Sequence, residues 1–245
     1  MTDALFALPR LAEIYDLVEE ERNDLDHYLA IAAEFGARSV LDVGCGTGTF
    51  ACLLADRGIE AVGVDPAAAS LDIARAKPGA RRVRWLHGDA TTLPELQVDL
   101  ATMTANVSHV ILTDEDWSAT LRGIRAALRP GGHLVFEARD PSRKAWLRWN
   151  RDATYQRLEV PGVGAVETWW DLAEVNGDYV SYRRTYVFAA DGATLTSDST
   201  RRFRSRAEIE GSLRSAGYTL VDVHDAPDRP NYEWVFVARK PGSGC

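Results

Sequence analysis

Five short apolar runs, each set off from the next by a stretch with helical spacing, constrain this chain more than anything else in its sequence. Ser39–Val43, Ala61–Val64, Val83–Leu86, Val98–Thr104 and His133–Ala138 read as strands. Phe50–Arg57 (stopped by Gly58), Ala67–Ala76 and Trp117–Leu128 read as the helices between them. Strands that are apolar on both faces and alternate with helices predict a parallel sheet covered on each side, because a parallel neighbour is reached only by a crossover. The ligand crevice of such a sheet lies at the carboxyl ends of its strands, where strand order reverses.

The flanking segments follow other rules. From Leu11 to Phe35 apolar residues recur at helical spacing, which predicts two helices or one bent one, ended by Gly36. After Asp140–Pro141, β-rich runs carry turn signals at Asn176–Gly177 and Asp191–Gly192, so residues 153–204 are expected to form an antiparallel meander. Glu208–Ala216 returns to helix, and Tyr218–Val223 with Tyr232–Ala238 reads as a closing antiparallel pair.

The sharpest local signal is Asp42-Val43-Gly44-Cys45-Gly46-Thr47-Gly48, placed between the first strand and the first crossover helix. Glycines there allow a tight turn and close approach of a ligand to the backbone. A dinucleotide fingerprint would need glycine or alanine where Thr49 stands, and pyrophosphate would seek a helix N-terminus without an acid before it. The Gly-x-Gly-x-Gly spacing after Asp42 suits instead a phosphate-free ligand bearing a cationic amine and a sulfonium. Asp65, closing the second strand, can accept hydrogen bonds from both hydroxyls of a ribose. Asp89, in Gly88-Asp89-Ala90, can accept from the exocyclic amine of an adenine.

Taken in order, Val40–Gly48, Gly63-Val64-Asp65, Gly88-Asp89-Ala90 and Leu128-Arg129-Pro130-Gly131-Gly132 resemble the motifs of class I S-adenosylmethionine-dependent methyltransferases. The resemblance covers roughly residues 10–140 and thins out beyond. It implies that Asp42 and the backbone of Gly44, Cys45, Gly46 and Gly48 hold the methionyl part, Asp65 with Pro66 the ribose, and Asp89 with Ala90 the adenine. Thr104, at the end of the fourth strand, joins the same cofactor set. Tyr15 and Tyr28 are expected to close over the cofactor, and Leu128–Gly132 to form the turn before the fifth strand. The fold class that follows is a doubly wound, Rossmann-like α/β architecture. It has a seven-stranded, mostly parallel sheet, an N-terminal helical cap and an antiparallel β insertion. As one domain over 1–245 it divides into a cap (1–37), a cofactor-binding core (38–140), the insertion (153–204) and a closing helix and strands (205–240). The reaction implied is methyl transfer to a small-molecule acceptor, leaving S-adenosylhomocysteine. A cofactor-binding protein without catalysis and a nicotinamide-dependent oxidoreductase are the alternatives.

Charge and composition narrow the partners. The net charge of −8 repels a polyanion unless a basic patch is segregated, so no nucleic-acid partner is expected. The fourth strand carries neither the Asn-Pro-Pro-aromatic motif of adenine methylation nor a Pro-Cys pair for cytosine. Early acids, Glu19–Glu21, Asp24 and Asp26, interrupt the first thirty residues, and no signal or membrane segment is expected there. Three cysteines without metal-ligand spacing suggest neither a disulfide framework nor a metal site, which fits a cytoplasmic setting.

On the acceptor side, His109 after the fourth strand is the candidate catalytic base, since its ordinary pKa lies near neutrality, and a structural histidine is the alternative. His87 is assigned to the cofactor-side turn. Trp146, Trp149, Trp169 and Trp170 either line a pocket for an apolar or aromatic acceptor, or pack the meander onto the core, or form a homodimer face. Arginines between 139 and 157 can recognise a carboxylate of the acceptor or solvate a helix face, and those from 201 to 206 can sit at polar strand positions.

Overall fold

The computed structural model describes residues 3–19, 22 and 24–242; Glu20 and Glu21 of the early acidic run and the tail residues Ser243–Cys245 lie outside the described residues. A short helix α1 (Ala4–Ala7) precedes α2 (Pro9–Val18) and α3 (Asp24–Glu34). Pro9 opens α2 where its missing N–H leaves no bond unmade. The core then alternates through β1 (Ser39–Val43), α4 (Thr49–Asp56), β2 (Glu60–Asp65), α5 (Ala68–Ala76), β3 (Val83–His87), β4 (Val98–Met103), α6 (Asp114–Ala127) and β5 (Leu128–Arg139). Two 3-10 turns and α7 (Arg151–Thr154) lead into β6 (Gln156–Val160), β7 (Gly164–Asn176), β8 (Tyr179–Phe188) and β9 (Thr194–Arg202). The chain closes with α8 (Arg206–Ser215), β10 (Thr219–Asp225) and β11 (Glu233–Arg239).

The large sheet has the order β10-β11-β5-β4-β1-β2-β3, with β1 to β5 parallel and β11 antiparallel to both its neighbours. Every residue of β1 is buried, as a strand covered on both faces requires. On one face Leu41 and Val43 pack with Trp117, Leu121 and Ile124 of α6 and with Ile209 and Leu213 of α8. On the other, Val40 and Leu100 pack with Leu25 and Tyr28 of α3 and with Phe50 and Leu54 of α4. The resulting three layers open at the carboxyl ends of β1 and β4, where the order reverses.

Three features depart from the sequence expectation. Helix α1 is too short to leave a periodic signal, and neither α7 nor the turns before it was expected. The fifth strand begins at Leu128, directly after α6, and not at His133. Leu128 pairs with Val98 and His133 with Leu100, so Arg129–Gly132 bulge out of the ladder. Gly131 N–H donates to the Lys240 carbonyl at 2.9 Å, and Lys240 N–H to Gly132 at 2.8 Å, which satisfies the bulged backbone against the end of β11.

Strands β6 to β9 make a separate antiparallel sheet in sequential order. One face is seated on the cap: Val166, Tyr186 and Phe188 pack with Leu5, Leu11, Ile14 and Val18. Further along, Val180 and Tyr182 pack with Trp146, Trp149 and Phe203. Among the described residues no helix is long and apolar enough to cross a membrane.

Candidate active site

A cavity of about 1400 Å³ opens above the carboxyl ends of β1, β2 and β4. Its floor is the glycine loop. The N–H groups of Gly44 and Cys45 both donate to the Val64 carbonyl, at 2.8 and 3.1 Å, which ties the loop to the end of β2. Gly46 has φ +53, and no heavy atom lies within 4 Å of where a Cβ would stand, so its bare face is turned to open space. Gly48 differs. It has φ +77, its N–H goes to Cys45, and a Cβ there would overlap the Trp85 ring and come within 2.8 Å of Ala74. Gly48 does not line the cavity and serves to pack the start of α4. Cys45 lines it, but burial, ahead of the nearby Asp42 and Asp65, holds its thiol well above the ordinary range.

Two carboxylates stand beneath this loop. Asp42 is 1 % exposed and accepts from the Thr102 hydroxyl at 3.1 Å. Burial pushes its pKa up to about 7, opposed by that hydrogen bond and by Arg22. Asp65 accepts from the Gly46 N–H at 2.8 Å and from the Ala67 N–H at 2.7 Å. Burial raises its pKa, and the two backbone donors work against the rise. Each of its oxygens keeps further acceptor capacity, since an ionised carboxylate offers about four lone-pair sites. Asp89 is exposed at the cavity edge, turned by hydrogen bonds from the Thr91 N–H (2.8 Å) and hydroxyl (2.6 Å). Ala90 is buried beside it, and Pro66, whose carbonyl meets His87 Nε2 at 3.1 Å, completes that rim. Sequence reasoning passed over Gly123 of α6. A Cβ there would land on the Ala90 carbonyl oxygen, so only glycine lets this loop settle against the helix.

Past β4 the backbone is strained. Ala105 (φ 56) and Asn106 (φ 60) are consecutive non-glycine residues in the left-handed region, and Ala105 lines the cavity next to Thr104. The surroundings hold this turn: the Asn106 N–H donates to Glu137 Oε1 at 2.8 Å and its side-chain amide to Glu233 at 3.1 Å. Tyr28, 1 % exposed, donates its hydroxyl to the other oxygen of Glu137. Tyr28 therefore braces the wall from behind and does not close over the cavity. Tyr15 does line it, as does Arg22, whose Nη2 reaches Thr104 Oγ1 at 3.4 Å. The cap is fastened to the glycine loop through Asp16, which accepts from the Thr47 hydroxyl and from Lys77.

The far wall was not foreseen. It is supplied by Asp171 and Leu172 of β7, Ser181 and Tyr182 of β8, and Thr200 and Arg201 of β9. Arg201 is held by Asp3 at 2.9 Å and Arg183 by Asp198 at 2.6 Å, and Ser181 meets Thr200 at 2.9 Å. The four tryptophans stand elsewhere. Trp146 and Trp149 are buried between β8 and Phe203, Trp170 stacks on Tyr182 at 4.9 Å, and Trp169 lies under the Arg151 guanidinium. Packing accounts for them, and none lines the cavity. Arg139, Arg143 and Arg157 pair with Glu233, Asp140 and Glu167, so the first arginine group faces no ligand space.

His109 is a correction of the same kind. It is 3 % exposed, its Nε2 accepts the Arg139 N–H at 2.9 Å, and it does not reach the large cavity. Burial, reinforced by Arg139 and Arg201, drives its pKa down to about 3. A neutral imidazole with its acceptor nitrogen committed to the backbone is a structural group.

The residues present fit a cationic, phosphate-free ligand. The floor offers two buried carboxylates, with Asp89 at the edge, and a bare glycine face, while the nearby cations are already paired, Lys77 (at Thr47 and Thr49) with Asp16 and Arg22 with Asp24. The comparisons agree. The methyltransferase domain family matches residues 40–132. The cypemycin N-terminal methyltransferase of Streptomyces sp. is 34% identical over 217 residues, covering 86% of each chain. The chain belongs to the class I S-adenosylmethionine-dependent methyltransferases. Its methyl donor is S-adenosylmethionine, which removes the nicotinamide-dependent alternative. The fold of this methyltransferase is shared with CcbJ of Streptomyces caelestis (TM-score 0.76, 24% identity, 95% of this chain and 96% of that one). It is shared equally with the sugar N-methyltransferase KedS8 of Streptoalloteichus sp. (TM-score 0.76, 20% identity, 93% and 92%).

Proposed function

We propose that this methyltransferase transfers the methyl group to an amine nitrogen of a small, polar acceptor. The observation that carries the reading is the cavity itself. At about 1400 Å³ it exceeds the ~300–1,000 Å³ that a single ligand usually occupies, and the half away from the glycine loop sets hydroxyl and charged side chains among the apolar Val110, Ile111, Leu112, Leu172 and Ala173. In this reading Asp42 and the Gly44–Gly46 backbone hold the methionyl end, Asp65 and Pro66 the ribose, Asp89 and Ala90 the adenine. Thr104 and Ala105 stand beside the methyl.

Bound S-adenosylmethionine supplies an electrophilic methyl on a cationic sulfur with a neutral leaving group. The chain's task is then to hold the acceptor in line and close to it. An alcohol would also need a base, and the described lining residues offer for this only carboxylates and tyrosines, with neither histidine nor lysine. A neutral amine needs none: its lone pair forms the new bond and its proton passes to water. Among similar proteins the cypemycin N-terminal methyltransferase, matched over most of this chain, and the sugar N-methyltransferase support nitrogen, whereas ubiquinone biosynthesis O-methyltransferases match about half of it.

Calorimetry with S-adenosylmethionine and S-adenosylhomocysteine, followed by labelled-methyl transfer to a panel of small amines and matched alcohols, tests this. Turnover confined to amines is expected. Turnover on alcohols alone would refute the nitrogen assignment, and tight cofactor binding without turnover on any acceptor would favour the non-catalytic alternative.

A further inference from the structure

A second, small cavity lies behind the loop that follows β4, bounded by His109, Trp117 of α6, Arg202, Arg204 and Ile209 of α8. Its volume of about 10 Å³ is close to the minimum that holds one water-sized particle. Trp117, Arg202 and Arg204 are 1 %, 9 % and 4 % exposed, and among the described residues no acceptor meets Trp117 Nε1, Arg202 Nε or Arg204 Nε. His109 Nδ1 is unpartnered too: it faces the Arg202 carbonyl outside hydrogen-bond geometry. Because His109 Nε2 accepts from Arg139, the ring proton must sit on Nδ1.

The four groups are all donors. Trp Nε1 and arginine Nε cannot accept, and the tautomer makes Nδ1 a donor as well. A water accepts two hydrogen bonds and must then place two protons of its own, so it leaves this set unsatisfied. The charge balance has the same sign. Arg204 spends its Nη groups on the carbonyls of Ile111 (2.8 Å) and Thr113 (3.0 Å), which are neutral. Arg202 takes Asp114 at 2.7 Å, a residue 71% exposed and 3.8 Å from Arg204 Nε, and Glu208 stands 4.0 Å from Arg202. Surface acids screened by solvent offset buried guanidiniums weakly. Burial, and Arg202 beside it, hold the Arg204 pKa down to about 10.

We propose that this cavity binds one monatomic, monovalent anion of the size of chloride, ligated by Trp117, Arg202, Arg204 and His109. Such an ion accepts from all four donors and neutralises the inner arginine edge, with a small outward adjustment of the two arginine side chains. It joins α6, the end of β9 and the start of the loop at Ser108 and His109. That loop runs on to Val110, Ile111 and Leu112 in the wall of the large cavity. The inference is independent of the acceptor assigned above.

Two measurements on the whole chain test it. Crystals soaked in bromide are expected to give an anomalous peak within hydrogen-bond distance of Trp117 Nε1. A map without that peak overturns the site, wherever else bromide binds. Thermal unfolding at constant ionic strength is expected to shift upward, saturably, when gluconate is replaced by chloride, by about 3–6 °C at tenfold excess over the dissociation constant. Trp117→Phe keeps the ring and removes one donor, and a weaker chloride dependence is expected. Equal midpoints in chloride and gluconate for the unsubstituted protein overturn the proposal. If the variant does not fold, the bromide map decides alone.

Discussion

Asp65 grips the glycine loop at Gly46: its Oδ2 lies 2.8 Å from the Gly46 nitrogen, while Oδ1 holds the first turn after β2 through Ala67 at 2.7 Å. One carboxylate thus sets the height of the loop over the cavity it lines, and in the function proposed above it holds the ribose. Asp65→Ala is expected to weaken S-adenosylhomocysteine binding about 10–100-fold, the loss typical of charge-assisted hydrogen bonds. Asp65→Asn should fall between, since its amide keeps one oxygen acceptor. Calorimetry reads both, and unchanged affinity in Asp65→Ala would remove the residue from the binding site.

The glycines separate by what lies beyond them. Gly46→Ala projects its methyl into open cavity, so it should cost only about 1–2 kcal/mol of stability for the left-handed backbone, yet weaken cofactor binding strongly. Gly48→Ala drives a methyl into Trp85 and Ala74 and should cost about 2–4 kcal/mol. Urea unfolding with parallel calorimetry distinguishes the two. Equal effects on stability would contradict the different surroundings of these residues.

Asp42 makes the unliganded protein sensitive to pH. Its pKa of about 7 in the folded chain exceeds the unfolded value of 3.8, so between these limits the folded state keeps a proton that the unfolded state has lost. Stability should therefore fall as pH rises from about 4 to about 7, and Asp42→Asn should flatten that decline. Affinity for a ligand carrying an ammonium should move the opposite way, rising as Asp42 ionises. Denaturation and calorimetry across this range check both slopes.

His109→Ala should cost about 2–4 kcal/mol, because it opens a cavity and leaves the Arg139 N–H without its acceptor. S-adenosylhomocysteine affinity is expected to stay within about twofold, since the ring is outside the cofactor cavity. With a pKa near 3, His109 should leave no inflection between pH 5 and 9 in any rate profile. Such an inflection, lost in the variant, would restore the histidine as a base.

The wall opposite the glycine loop should govern the acceptor alone. Ser181→Ala combined with Thr200→Val is expected to leave cofactor affinity unchanged and to lower kcat/KM for methyl transfer about tenfold, the cost of losing hydrogen bonds to a bound acceptor. An unaltered kcat/KM would place the acceptor elsewhere.

The parts written in local chemistry were legible from residues alone. β1 is a short run of mainly β-branched and apolar residues directly before the glycines, and the Gly-x-Gly-x-Gly loop fixes its own turn, so both could be placed to the residue. The residues expected on the cofactor side, Gly48 excepted, line one cavity because they end consecutive strands. Gly48 misled because the sequence gives no hint that Trp85, on a neighbouring strand, comes up beneath it. His109 misled because an imidazole near β4 looks alike whether it faces a cavity or the Arg139 backbone. The wall of Asp171, Ser181 and Thr200 was invisible for a related reason: alternation along an antiparallel strand says that two faces differ, not what each will meet. The tryptophans were conspicuous by size, and size served packing.

The floor of the large cavity comes from residues 42–107 and its far wall from residues 171–201, with cap residues and residues 110–120 filling in between them. Substitutions in β7 to β9 can therefore remodel one wall while the glycine loop and its carboxylates stay as they are. A lineage built this way can exchange one client for another by drift in a single appended sheet, and an engineer can graft or randomise that sheet without renegotiating the donor.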